Sequence, residues 1–310
     1  MVWIKGDKMS NLVKLLGRDE YLLSGNPSCP GCGLALGLRY ALKALGKNTI
    51  MIVPASCTSI VLGPVPTSSV KIPVLNIAFA AAAATASGMS EALDILGKKN
   101  INVLVWAGDG GTVDIGLQGL SGAAERNNNF IYICYDNEAY MNTGIQRSGS
   151  TPKGAWTTTT PRGKKQSKKN IPFIMIEHRI PYVATASIAF PQDFILKLKR
   201  AREVKGLRYI HLHTPCPPGW KYPSDKTIEV ARLAVLTGAW ILFEMHRGIF
   251  KLTGPSIRLI EKKYRKNIEE YLKIQGRFKG ISKKMIEDIS KDIDENWRYL
   301  KEKFLDNNRK

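Results

Sequence analysis

Short apolar runs recur along the first two-thirds of the chain, separated by longer stretches with helical spacing. Val103–Ala107 and Phe130–Tyr135 read as buried parallel strands, each followed closely by an acidic residue. Ile50–Val53 is a similar apolar run, and Tyr182–Ser187 and Arg208–Thr214 look like further strands. Helices are expected at Leu34–Leu45, over the alanine-rich stretch Ala78–Leu93, at Val113–Arg126 and at Gln192–Val204. From Asp225 the pattern turns wholly helical, with amphipathic stretches Asp225–Phe243, Ile257–Leu272 and Lys283–Phe304. The expected fold class is therefore α/β. Residues 1–224 form a mostly parallel sheet covered by helices, and 225–310 form a helical C-terminal extension that packs on the domain or on a partner subunit. There is no internal repeat and no clear linker.

Composition narrows the setting. At 310 residues and 44% hydrophobic, the chain buries a full core. No stretch has the apolar length of a membrane span and no signal-peptide pattern opens it, so the expected location is the cytoplasm. Forty-six basic residues against 26 acidic ones give a net charge of +20. Such a charge suits nucleic acid, but the basic residues are scattered and no recognition motif accompanies them. Five cysteines do not make a disulfide scaffold in a reducing compartment, and their spacing points to metal.

Two strand ends carry the first candidate chemistry. Gly108, Gly110 and Gly111 let the backbone come close to a phosphate, with a helix N-terminus behind them. Asp109 places a carboxylate among those glycines, where it would repel a phosphate unless a cation lay between. Asn137 adds an amide oxygen 28 residues later, at the mouth of the next strand. A carboxylate, an amide oxygen, a backbone carbonyl, two phosphate oxygens and a water make the all-oxygen octahedron that Mg²⁺ prefers. The plain alternative is a tight turn followed by an Asx turn. The second constellation is a set of thiols. Cys29 and Cys32 lie in a Gly/Pro-rich C-x2-C loop, and Cys57 and Cys216 each follow an apolar run. Cys134 falls inside a strand and reads as a core residue. Four loop thiols suit Zn²⁺ or an iron–sulfur cluster, and the spacing leaves both open.

The pattern G-D-G followed by Asp136-Asn-Glu-Ala-Tyr-Met-Asn-Thr-Gly-Ile-Gln146 resembles the β subunits of the pyruvate:ferredoxin oxidoreductase family and its 2-oxoacid relatives. The resemblance runs from about Tyr21 to Phe278. It implies a thiamine-diphosphate-binding fold with the cofactor held by Gly108, Asp109, Gly110, Gly111, Asn137, Ala139, Asn142 and Thr143. Mg²⁺ would sit on Asp109, Asn137 and the carbonyl of Ala139, and Asn142 would be the catalytic residue beside the reacting carbon. Cys29, Cys32, Cys57 and Cys216 would hold a 4Fe-4S cluster. The implied reaction is oxidative decarboxylation of pyruvate to acetyl-CoA, with electrons passed through the cluster to ferredoxin. Branched-chain 2-oxoacids are the alternative substrates. Alpha, gamma and delta subunits are the implied partners. A non-redox thiamine-dependent decarboxylase would have no use for the loop thiols.

Thiamine enzymes generally activate the cofactor with a glutamate, and no glutamate of this chain is placed to serve. Glu125 lies in the helix after the phosphate turn and Glu138 beside the metal motif, so the carboxylate is expected from a partner. Arg147–Asn170 holds seven basic residues, no acidic one and no regular period. It is expected to form a flexible rim of the site, a coenzyme A clamp or a docking surface, against the plain alternative of a solvated loop. His211 and His213 alternate along a strand and are expected to be structural.

Overall fold

The computed structural model describes residues 15–306, so most of the basic lead-in before Gly17 lies outside the described residues. Eight strands form one sheet: β1 (Thr49–Pro54), β2 (Val74–Ile77), β3 (Asn102–Gly108), β4 (Ile131–Asp136), β5 (Tyr182–Ser187), β6 (Arg208–His213), β7 (Phe243–His246) and β8 (Ile249–Leu252). Their order is β2-β1-β3-β4-β6-β5-β7-β8. The first six are parallel, and β7 and β8 close the sheet antiparallel. Strands β4, β5 and β6 are buried along their whole length, because helices cover both faces.

Alternation along the strands assigns side chains to the two layers. Trp106, Ile131, Ile133 and Tyr135 pack against the helices Gly33–Leu45 and Pro191–Glu203. Val105, Ala107, Tyr132 and Cys134 pack against Ala82–Ile95, Leu117–Glu125 and Ile171–Glu177. Cys134 is a fully buried member of that second layer, as a core residue should be. A third cluster around Trp220, Trp240, Tyr271 and Trp297 joins the C-terminal region to the rest.

Four elements differ from the expectation. The helix expected over Val113–Arg126 is a wide π turn, Gly110–Asp114, followed by a helix starting at Leu117. A side chain on Gly116 would stand 2.1 Å from the Gly111 carbonyl five residues earlier, so a glycine is required where the π turn hands over to the helix. The alanine-rich helix begins at Ala82, and Ala78–Ala81 form a turn instead. The helix expected to reach Phe243 ends at Leu236, where Gly238 takes a positive φ of 80°. Phe243 then opens the β7–β8 hairpin, turned at Arg247 and Gly248 with φ of 49° and 81°. That two-residue turn between alternating runs is the signal the helical reading passed over. Ile257–Leu272 breaks into the short turns Ser256–Leu259, Lys262–Tyr264 and Ile268–Lys273.

Arg147–Asn170 is also no solvated loop. Ser148, Ser150, Thr151 and Ala155 are wholly buried within it. Several of its polar groups bond inside the protein, as later sections describe.

Candidate active site

The chain runs from β1 outward to β2, then returns past β1 to β3 and proceeds the other way to β4. The direction of winding thus reverses between β1 and β3. In open α/β sheets ligands bind outside the strand carboxyl ends at such a point. A cavity of about 220 Å³ opens there. Ala55, Ser56 and Cys57 line it from the end of β1, Gly108–Gly111 from β3, and Asn137 with Ala139–Thr143 from β4. Asn142 and Thr143 are exposed at its mouth, and the Thr143 hydroxyl donates to Gln146 Oε1 at 2.6 Å.

The glycines serve the cavity in a way that phosphate contact alone does not explain. A side chain on Gly110 would stand 2.5 Å from the Tyr140 ring. Phe79, Tyr135, Tyr140 and Met141 also line the cavity. None of these was singled out from sequence. Phe79 belongs to the segment read only as a packed core helix, and the shift of that helix to Ala82 frees it to turn toward the site.

At the base of the cavity three oxygens converge. The side-chain oxygen of Asn137 faces only acceptors, standing 3.0 Å from Asp109 Oδ1 and 3.0 Å from the Ala139 carbonyl. Rotated about its last bond, the amide would donate to both. An octahedral shell with Mg–O distances of about 2.0–2.1 Å has edges of about 2.9–3.0 Å, so the spacing fits a cation shared by these atoms. Among the described residues no three His, Cys, Asp or Glu side chains stand close enough to hold one ion, and this shell draws on only one such residue. Burial, then the charge of Asp136, pushes the Asp109 carboxyl well above the usual carboxylate range, against the pull of Ser148 and Lys168. Ser148 Oγ donates to Asp109 Oδ2 at 2.6 Å.

Glu138 points away from this cavity. It lines a second one of about 210 Å³ behind the loop, and its own φ of 64° makes the turn that separates it from Asn137 and Ala139. Arg277 Nη2 meets its Oε2 at 2.5 Å and Lys168 Nζ its Oε1 at 2.9 Å. Burial alone would raise Glu138, but Lys168 and Arg277 outweigh it and hold the carboxyl low. Asp136 is likewise held low, since Lys168 and the 2.8 Å contact with His211 outweigh its burial. Trp220 Nε1 donates to the Asn137 carbonyl at 2.7 Å, with the Arg277 guanidinium stacked 3.7 Å over the Trp220 ring. Glu125 is exposed at the end of its helix. Asp109 is the only carboxylate on the cavity wall among the described residues.

The thiols assemble from three distant places. The Gly33 backbone lies against the Pro215 carbonyl, which brings the C-x2-C loop beside Cys216. Burial pushes the Cys216 thiol up to about 12, and Cys32, Cys57 and Cys29 add to the shift. Cys57 is pushed up to about 12 by burial and then by Cys32 and Cys29. Cys57 also stands on the cavity wall. Cys134 takes no part.

Residues 64–212 match the family model of the thiamine pyrophosphate enzyme, C-terminal TPP binding domain. That span holds both turns of the cavity base and none of the four loop cysteines. Over 293 residues the chain is 52% identical to the ketoisovalerate oxidoreductase subunit VorB of Pyrococcus furiosus, covering 91% of this chain and 93% of that one. It is 50% identical to the pyruvate synthase subunit PorB of Methanothermobacter marburgensis, covering 89% of this chain and 96% of that one. The chain belongs to the 2-oxoacid:ferredoxin oxidoreductase β-subunit family. This β subunit has the thiamine-diphosphate-binding fold that its motifs implied. A solved 2-oxoglutarate:ferredoxin oxidoreductase from Magnetococcus marinus superposes with a TM-score of 0.55 at 24% identity, covering 68% of this chain and 79% of that one. That likeness bears on the fold. Among the described residues no helix is long and apolar enough to cross a membrane.

Proposed function

We propose that this subunit carries out oxidative decarboxylation of pyruvate to acetyl-CoA, passing electrons through a 4Fe-4S cluster on Cys29, Cys32, Cys57 and Cys216 to ferredoxin. The observation that carries the redox reading is the position of Cys57, which is grouped with the other loop thiols and also walls the cofactor cavity. A simple decarboxylase has no need of thiols there.

The roles of the chain's own residues follow from the geometry. Thiamine diphosphate, when bound, supplies the carbon nucleophile that lets a 2-oxoacid lose carbon dioxide. Gly108, Gly110 and Gly111 bring the backbone close to its diphosphate. Asp109, Asn137 and the Ala139 carbonyl hold Mg²⁺ against that diphosphate. Phe79, Tyr140 and Met141 keep water from the base of the site, and Asn142 and Thr143, exposed at its mouth, would be the residues to meet the cofactor's reacting end and the substrate. Glu138 is committed to Arg277 and Lys168 and faces away, so the activating carboxylate comes from a partner subunit. Gamma and delta subunits complete the enzyme, with coenzyme A taking the acyl group, and the assembly works in the cytoplasm. A second reading keeps the chemistry and changes the acid to 2-oxoisovalerate, favoured by the VorB relatives.

The test is carbon dioxide release from labelled pyruvate and 2-oxoisovalerate by anaerobically purified protein, with and without the partner subunits. We expect turnover only with the partners, faster with pyruvate, and about four irons per chain as a Cys₄ cluster implies. Cys57→Ala and Cys216→Ala should lose the iron and Cys134→Ala should keep it. Stoichiometric zinc without iron overturns the redox reading, and turnover by the lone chain overturns the assignment of the carboxylate.

A further inference from the structure

We infer that Ser148, in the basic loop, is the positioning residue that turns the Asp109 carboxylate so that Oδ1 faces Asn137 and Ala139. The inference rests on the proposed Mg²⁺ site. Ser148 is fully buried, and its hydroxyl, 2.6 Å from Asp109 Oδ2, is the only donor to that oxygen among the described residues. That hydrogen bond restrains the carboxylate and keeps Oδ1 turned toward Asn137.

The loop is built to hold that hydroxyl still. The Ser148 N–H donates to Thr151 Oγ1 at 3.0 Å. Lys164, buried and without a carboxylate partner among the described residues, donates to the carbonyls of Thr151 at 2.6 Å, Gly149 at 3.2 Å and Ser148 at 3.4 Å. The same loop grips both turns of the site. Thr151 Oγ1 donates to the Glu138 carbonyl at 2.7 Å, inside the turn that carries Asn137 and Ala139. Gly149 N–H donates to Asp114 Oδ2 at 2.8 Å, at the end of the π turn that follows Asp109. A loop of this kind fixes the distance between the two turns, and with it the size of the oxygen shell. Mg²⁺ demands short, near-ideal octahedral contacts, while Ca²⁺ accepts longer bonds and bidentate carboxylates. A freed Asp109 carboxylate would lose the first ion more readily than the second.

The experiment uses the complex with its partner subunits, stripped of divalent cations, and follows thiamine-diphosphate binding by calorimetry while Mg²⁺ or Ca²⁺ is titrated. Ser148→Ala should raise the Mg²⁺ half-saturation by roughly 10- to 100-fold, as loss of a ligand's hydrogen-bond partner does elsewhere, and should change the Ca²⁺ value less. Ser148→Thr keeps the hydroxyl, and Ser148→Val has nearly the same shape without it, so this pair separates donation from packing. Thr should stay near wild type and Val should follow Ala. Equal Mg²⁺ half-saturations for Thr and Val, or an Mg²⁺-to-Ca²⁺ preference unchanged in Ala, overturn the role of Ser148. Asp109→Ala serves as the control. If it too binds normally, the metal site itself is wrong; if it alone fails to bind, only the inference about Ser148 falls.

Discussion

On one side of the turn Asn137–Ala139, oxygens face one another 3.0 Å apart with no donor between them. On the other side, Glu138 is matched by two cations at 2.5 and 2.9 Å. Three consecutive residues thus face two cavities with opposite electrostatic character. At the rear every charge on Glu138 and Asp136 has a partner. The front has two ways to be satisfied: the Asn137 amide donates to Asp109 Oδ1 and the Ala139 carbonyl, or a cation sits among the three oxygens. Paired charges lock a loop, and unpaired acceptors held by that loop mark a binding site.

Breaking the front should have the largest effect. Asp109→Ala removes the one anionic ligand on the cavity wall, and Mg²⁺-dependent thiamine-diphosphate binding should fall below detection by calorimetry. Asn137→Ala should weaken it by roughly tenfold or more, since a neutral ligand is lost. Neither should much change the thermal stability of the unliganded protein.

Breaking the rear should do the reverse. Arg277→Met leaves Glu138 buried with only Lys168 opposite, and removing one partner of a buried pair costs about 3–5 kcal/mol. A drop in the thermal midpoint is expected, with cofactor binding affected through the displaced turn. Adding Glu138→Gln should restore much of the stability, because the uncompensated charge goes with it. A double variant no more stable than Arg277→Met would show that packing of Arg277 on Trp220 is what matters.

The smallest effect concerns pH. The His213 ring lies between Trp240 at 4.6 Å and Trp220 at 5.5 Å, and neither nitrogen has a partner among the described residues. Burial pushes it down to about 4 from an ordinary value of 6.5. Between those values the unfolded chain binds a proton that the folded chain refuses. Stability is therefore fully present above pH 6.5 and declines as pH falls toward 4, by on the order of 2–3 kcal/mol from this group. His213→Phe should flatten that part of the stability–pH curve; an unchanged slope would place the acid sensitivity elsewhere.

Much of the site was legible because its parts are local. The G-D-G turn ends one strand, the D-N-E-A-Y-M-N-T-G stretch ends the next, and parallel neighbours put both ends on one edge. Tyr140 and Met141 lay inside that stretch without standing out, because their role appears only where Gly110 and Gly219 make room for them. The β7–β8 hairpin was hidden by an amphipathic pattern that fits helix and strand alike over so short a run.

The sequence by itself determined the strand ends, the oxygen donors and the thiols, since these depend on residue types at short spacing. Only the tertiary structure decided how distant segments meet. How Cys29, Cys32, Cys57 and Cys216 lie relative to one another depends on the path of the whole sheet, and no local pattern records it. The basic loop was read as a rim because it starts just after the cofactor motif and has no regular period. In the fold Lys153, Lys164, Lys168 and Lys169 find carbonyls or carboxylates, and Ser148 finds an acceptor 39 residues away. A hydroxyl carries no sign of its partner until packing closes water out and leaves Asp109 as its acceptor.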